Sequence, residues 1–333
     1  MTWVMPAEWQ PHERTWMAWM EEDYSTNASA ESSELMHEAW AKVANTIVNF
    51  EPVTMLVSKA HEGEAKSFLD SRVELLITDI DDGWMRDSGP TFVKAADRLA
   101  AVDWIFNGWG NQGGWANWEK DDAVASTIAS AAGVSTMRSK LVNEGGGIHV
   151  NGAGALLVTE TVQLGRERNP DWTRAEVEAE LNSKLGTNQV IWIRRGLTRD
   201  YEDFGTRGHI DIVACFADEN TILFHDQQDE THPDFAVSHE VKRTLEETTD
   251  FKLVGVPAPK KLRDEHGFVD YSYINHYICN GAVILCSFDD ENDEVARRIL
   301  EVVYPGREIV LVDARQLFAR GGGIHCITQQ QPA

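Results

Sequence analysis

The chain has 333 residues, of which 54 are acidic and 30 basic, for a net charge of −24. That balance argues against nucleic acid and anionic membrane surfaces as partners and suits the steering of a cationic small molecule into a cleft. No run is apolar enough to span a bilayer, the first residues lack signal-peptide features, and four scattered cysteines fit neither a zinc ribbon nor a disulfide scaffold, so a reduced, cytoplasmic protein is expected.

In chain order, residues 32–49 carry Leu35, Ala39, Val43 and Ile47 at helical spacing and are predicted as an amphipathic helix. Strands follow at 53–57 and 73–77, with a short polar helix at 62–69 between them. Ten of the twelve tryptophans precede residue 119 and are expected mostly in the core or packed under loops. The loop Asp82-Gly83-Trp84-Met85-Arg86-Asp87 ends in Ser88-Gly89-Pro90, a turn signal. It is either a site loop or a turn capped by its own aspartate.

Strands are predicted at 99–106, 155–159, 190–193, 210–216, 221–224, 282–286 and 308–312. Helices are predicted at 120–132, 173–185, 233–247 and 291–303. Counting the one near residue 65, helix centres recur about every 55–60 residues, a repeat-like period. Five ββαβ units closed into one ring, in a single domain over 1–333, account for that period. An open doubly wound sheet would give the same alternation. Neither a Rossmann glycine fingerprint nor a Walker A loop is present, which counts against nucleotide folds.

One phrase occurs twice. Gly-Gly-Gly-Ile-His spans 145–149 after Glu144, and recurs at 321–325 before Cys326. The first copy carries a carboxylate and the second a thiol, as if one backbone unit were reused with different cargo. A thiol after three glycines suits a nucleophile at a pocket mouth; a glycine-rich hairpin with a buried cysteine is the plain alternative. At 208–213, strand alternation would put His209 and Asp211 on one face and Ile210 and Ile212 on the other. Two titratable groups on the edge of an apolar strand need partners if buried. Cys215, Cys279 and Cys286 read as buried hydrophobes, His149 and His325 as structural, and Asn275 and Asn280 as turn or backbone contacts. Gln329-Gln330-Gln331 is the one low-complexity tract.

The segments 84–90, Glu144-Gly145-Gly146, Asn169-Pro170, Gly208-His209-Ile210-Asp211 and 322–330 together resemble the agmatine deiminase / Porphyromonas-type peptidylarginine deiminase family, from Met5-Pro6-Ala7-Glu8-Trp9 to the final glutamines. The resemblance implies an α/β pentein fold, a five-bladed propeller of pseudo-fivefold ββαβ repeats around a central cleft. It also implies roles: Cys326 as nucleophile, His209 as general acid/base, Glu144 as the carboxylate orienting it, and Asp87 and Asp211 as the pair gripping a guanidinium. A planar, resonance-stabilised cation is a poor electrophile, so paired carboxylates are needed to fix it over a thiolate. No metal or organic cofactor is required.

Trp84 and Trp109 could pack the substrate tail or cap a cation, with core packing as the alternative for Trp109. Agmatine ranks first as substrate, then another small guanidino compound, then free or peptidyl arginine. Gly205, the loop 109–115 and residues 285–288 depart from the agmatine-type pattern, and the missing acid at 205 suggests a different tail. The rivals are a metal-dependent hydrolase using His209, Asp211, His325 and Cys326, a non-catalytic binding protein, and an amidinotransferase. The resemblance implies a homo-oligomer, a dimer or higher.

Overall fold

A computed structural model of the protein describes residues 2–24, 28–111 and 117–333. It is mixed α/β, and the six long helical spans read from the sequence are present as Ala30–Ile47, Glu62–Phe68, Val124–Ala131, Arg174–Leu185, Asp234–Thr248 and Asp293–Val303. Local chemistry sets their ends. Ser29 caps the first helix by accepting from the Ser32 amide, and Thr173 with Glu176 forms a reciprocal capping box on the fourth. The first helix buries Met36, Trp40, Val43, Ala44 and Ile47, whereas Leu35 is exposed. Its inward face is therefore turned relative to the predicted stripe, because Trp40 packs edge-on against Trp84 with ring centroids 5.4 Å apart.

Five sheets share one order: an antiparallel pair, then a helix, then a third strand parallel to the second. They comprise Thr91–Ala95, Arg98–Ile105 and Ser135–Val142; Ile148–Val150, Ala155–Thr159 and Gln189–Ile193; Ala214–Asp218, Thr221–Asp226 and Lys252–Pro257; and Tyr277–Cys279, Ala282–Ser287 and Glu308–Asp313. The fifth is discontinuous in sequence. Gln329–Pro332 pairs antiparallel with His12–Ala18, which runs parallel to Val53–Val57, and Glu74–Ile77 adds a fourth strand. The small separate sheets replace the open doubly wound alternative.

Three expectations change. The glutamine tract is a buried strand, because its backbone is paired and its amides are used: Trp16 Nε1 donates to Gln331 Oε1 at 2.9 Å and Arg86 Nη1 to Gln330 Oε1 at 2.8 Å. The strand expected from residue 210 begins only at Ala214; Ile210–Ile212 is a 3₁₀ turn, entered through Gly208 at φ +113°. The doubled glycine phrase does not fold twice the same way. Gly145–Gly147 is a 3₁₀ turn running straight into the strand Ile148–Val150, whereas the second copy starts at Gly321 with φ +106° and its strand waits until Gln329.

A common feature survives that correction. Each of the five sheets is led in by a short turn: Met85–Ser88, Gly145–Gly147 behind Glu144, Ile210–Ile212, residues 272–276 and residues 321–328. These turns carry the site.

Candidate active site

Cys326, His209, Glu144, Asp87 and Asp211 are all buried, and they are linked by short contacts. Asp87 sits in the Met85–Ser88 turn. Its Oδ1 accepts from the Gly146 amide at 3.0 Å and its Oδ2 from the Trp109 indole at 2.9 Å. His209 Nε2 faces Glu144 Oε2 at 3.3 Å, while its Nδ1 points toward Asp87 Oδ1 at 3.7 Å. Asp211 Oδ2 bonds His325 Nδ1 at 2.8 Å and lies 3.6 Å from the Cys326 sulfur.

His209 and Asp211 thus converge as expected, but by a different route. A 3₁₀ turn, not strand alternation, aims them at the site, while Ile210 and Ile212 enter an apolar cluster behind it. Gly146 allows the approach. A Cβ there would lie 2.5 Å from His209 Nδ1, 2.9 Å from Asp87 Oδ1 and 3.1 Å from Asp211 Oδ2.

Two buried polar atoms in this cluster have no hydrogen-bond partner: His209 Nδ1 and Asp211 Oδ1. Buried groups are normally hydrogen-bonded, so unpaired atoms of opposite role beside a thiol mark the place of a polar, planar ligand.

Charges follow the geometry. Burial would raise Glu144, but the buried Arg168 guanidinium and His209 hold it down at about 2. Burial would lower His209, yet Asp87, Glu144 and Asp211 lift it to about 9, so it rests as an imidazolium. Asp87 is raised to about 6 by burial, against the pull of His209. Burial also pushes the Cys326 thiol well above its ordinary value, and Asp211 and Asp87 push the same way. With no ligand, the sulfur keeps its proton.

Several contributors were not legible in the sequence. Arg168 Nε donates to both oxygens of Glu144 at 2.8 and 3.0 Å, and its Nη2 donates to the Thr206 carbonyl at 2.7 Å. Only its neighbours Asn169-Pro170 had been singled out. Asn275, read as a turn residue, donates from Nδ2 to the Cys326 sulfur at 3.2 Å and accepts the His325 amide at 3.0 Å. Arg86 anchors the thiol turn: its amide donates to the Cys326 carbonyl at 3.0 Å and its Nε to that of His325 at 3.2 Å. His325 itself, read as structural, bonds Asp211 directly. Asn280 does serve backbone contacts, donating to the His12 carbonyl at 2.8 Å. Cys215, Cys279 and Cys286 are buried as expected.

The two tryptophans differ. Trp109, in the left-handed region at φ 53°, is buried and holds Asp87. Trp84 donates its indole N–H to the Tyr24 hydroxyl at 2.6 Å, and its ring stands by the thiol turn: a Cβ on Gly322 would sit 2.7 Å from that ring and 3.0 Å from the sulfur. Trp115 and the rest of 112–116 lie outside the described residues.

The departure at Gly205 has a local cause. A Cβ there would lie 2.1 Å from the Asp200 carbonyl. Asp200 itself supplies the buried carboxylate, accepting from the Thr206 and Gly208 amides at 2.6 and 2.5 Å. That carboxylate braces the loop that carries His209.

The metal-hydrolase set does not come together as a donor cluster; among the described residues the group whose donor atoms converge is Glu8, His149 and His325. No helix among the described residues is long and apolar enough to cross a membrane.

The chain is similar over its whole length to several known proteins. A Streptomyces coelicolor protein provisionally named an agmatine deiminase is 52% identical over 339 residues, covering 100% of this chain and 99% of its own. The agmatine deiminase of Ectopseudomonas mendocina is 37% identical, covering 99% and 95%. The solved agmatine deiminase of Enterococcus faecalis superposes with a TM-score of 0.91 at 30% identity, covering 99% of this chain and 96% of that one. Residues 4–332 match the Porphyromonas-type peptidyl-arginine deiminase profile, and the chain belongs to that family.

Proposed function

We propose that the protein is a deiminase that hydrolyses agmatine to N-carbamoylputrescine and ammonia through a covalent adduct on Cys326. The observation that carries this reading is a pair of buried atoms without hydrogen-bond partners, Asp211 Oδ1 on the carboxylate whose Oδ2 lies 3.6 Å from the Cys326 sulfur, and His209 Nδ1, 3.7 Å from Asp87 Oδ1. A guanidinium between Asp87 and Asp211 gives its N–H groups to both carboxylates and offers its central carbon to the sulfur.

The resting charges support a defined order of steps. The thiol rests protonated because burial, and then the Asp211 and Asp87 carboxylates, raise it. Entry of a cation offsets those carboxylates and favours loss of the sulfur proton to solvent. The thiolate adds to the guanidinium carbon. His209, already an imidazolium, gives its proton to the departing nitrogen, which leaves as ammonia. An S-alkylthiouronium remains on Cys326. Neutral His209 then takes a proton from water, the hydroxide adds to the same carbon, and the C–S bond breaks as the hydroxyl proton passes to the sulfur, giving the ureido product and the resting thiol. Glu144, locked by Arg168, holds the imidazole through both halves.

We also propose that the five units close as a five-bladed propeller around this site. Their common ββαβ order supports it, as does completion of the first sheet by Gln329–Pro332.

The test is ammonia release from agmatine by the wild type and by Cys326→Ala. Release by the wild type alone, with an acid-stable adduct on the peptide containing Cys326, is expected. Undiminished release by Cys326→Ala would overturn the nucleophile.

A further inference from the structure

Behind the substrate-facing groups lies a second layer of buried charge that the chemistry above does not use. His325 stands between two carboxylates: Nδ1 is 2.8 Å from Asp211 Oδ2 and Nε2 is 2.9 Å from Glu8 Oε2. Glu8 comes from the N-terminal segment, and its other oxygen accepts the Ile278 amide at 2.8 Å. Arg86 Nη2 lies 3.6 Å from Glu8 Oε2. All four side chains are buried.

Resting on the deiminase reading, we infer that Glu8 and His325 are positioning residues for guanidinium capture: the Glu8–His325 pair clamps Oδ2 of Asp211 and so turns Oδ1, the unpartnered oxygen, toward the substrate. A carboxylate on a short side chain has one soft torsion, and a bond to one oxygen fixes where the other points. His325 directly precedes Cys326, so the same clamp fixes the turn that bears the sulfur.

Two carboxylates can both accept from one imidazole only when each of its nitrogens carries a proton. The surroundings favour that state. Burial and Arg86 disfavour the charge on His325, but Glu8 and Asp211 outweigh them and raise it; also facing this layer are His149 and His276, lowered by burial, and Cys215, Tyr277 and Tyr304, raised by burial. Glu8 and Asp211 are each held below the ordinary carboxylate range against burial, with His325 the main cause.

A metal ion is the competing use of Glu8, His149 and His325, whose donor atoms lie within 4.8 Å of one another. The donors are unsuited to it. Both nitrogens of His325 already serve carboxylates, an arginine stands beside Glu8, and the cavity between them is about 10 Å³, room for at most one water.

The test uses Glu8→Gln and Glu8→Asp in the full-length protein, with two readouts. In kinetics, Glu8→Gln is expected to lower kcat/KM for agmatine by about tenfold to hundredfold through both KM and kcat, as a misplaced group does. Glu8→Asp restores part of the activity. In ¹⁵N NMR of labelled imidazoles, His325 of the wild type stays doubly protonated through neutral pH and titrates lower in Glu8→Gln, a measurement that needs no turnover. A wild type without ammonia release but with this His325 titration would sink the deiminase reading and leave the clamp standing. Folded Glu8→Gln with wild-type kinetics and an unshifted His325 would overturn the clamp. Zinc or another divalent ion bound stoichiometrically by the wild type and lost in Glu8→Gln would overturn it too.

Discussion

The indole N–H of Trp109 lies 2.9 Å from Oδ2 of Asp87, so the carboxylate proposed to grip the substrate is aimed by a residue held in a left-handed backbone conformation. Hydrogen bonds to charged groups contribute about 1.5–3 kcal/mol. Trp109→Phe keeps the apolar bulk and removes the donor. It is expected to lower kcat/KM by roughly tenfold or more and to shift the acid limb upward, since Asp87 loses a bond that favours its charged form. An unchanged limb in a pH–rate series would contradict this.

The pH profile of the wild type follows from the same groups. kcat/KM reports ionisations of the free enzyme. Asp87, raised to about 6, must be ionised to hold a cation, so activity falls as pH drops through that value. His209, raised to about 9, must carry its proton to release ammonia, so activity falls again as pH rises through that value. A profile without either limb would sink the assignment.

Arg168 and Glu144 form a buried pair, and removing one partner of such a pair costs about 3–5 kcal/mol. Arg168→Met is expected to lower thermal stability substantially and abolish ammonia release. Arg168→Lys should not rescue it, because a point charge cannot reproduce the two bonds from Nε together with the one to the Thr206 carbonyl. Glu144 is depressed to about 2, so its stabilisation is full above the ordinary carboxylate pKa of 4.5 and lost as pH falls through the folded value. Denaturation midpoints measured down an acid series should show that slope in the wild type and a shallower one in Arg168→Met.

Gly146→Ala tests the floor of the site. The added methyl meets His209, Asp87 and Asp211 at once. Near-normal circular dichroism with kcat reduced about a hundredfold or more is expected; a fully active alanine variant would show that these three groups do not act together.

Helical elements were readable before any coordinates: the helix Arg174–Leu185 lies where 173–185 is predicted. Signals that depend on distant partners were not. Gln329-Gln330-Gln331 looks like a loose tail until His12–Ala18 is found beside it. The strand expected over His209 and Asp211 failed because alternation cannot distinguish a strand from a 3₁₀ turn over so few residues. The apolar stripe on the first helix was misplaced because Trp40 finds its partner, Trp84, far along the chain. Among site residues, those with distinctive local motifs, Cys326, His209 and Glu144, could be singled out. Arg168 and Asn275 have no local motif, and Glu8 lies in the Met5–Trp9 segment without a role to read from it; their importance lies in what they touch.

The lead-in turns give the active site an unusual dependence on the rest of the molecule. Cys326 and Asp211 are 115 residues apart in sequence yet meet in one buried spot, and the five groups arrive on the thresholds of four different sheets, His209 and Asp211 sharing one. No single module owns enough of the machinery to keep a trace of turnover by itself. Catalytic output should therefore vanish together with the loosening of whichever sheet yields first, making ammonia release a sensitive gauge of the whole molecule's integrity.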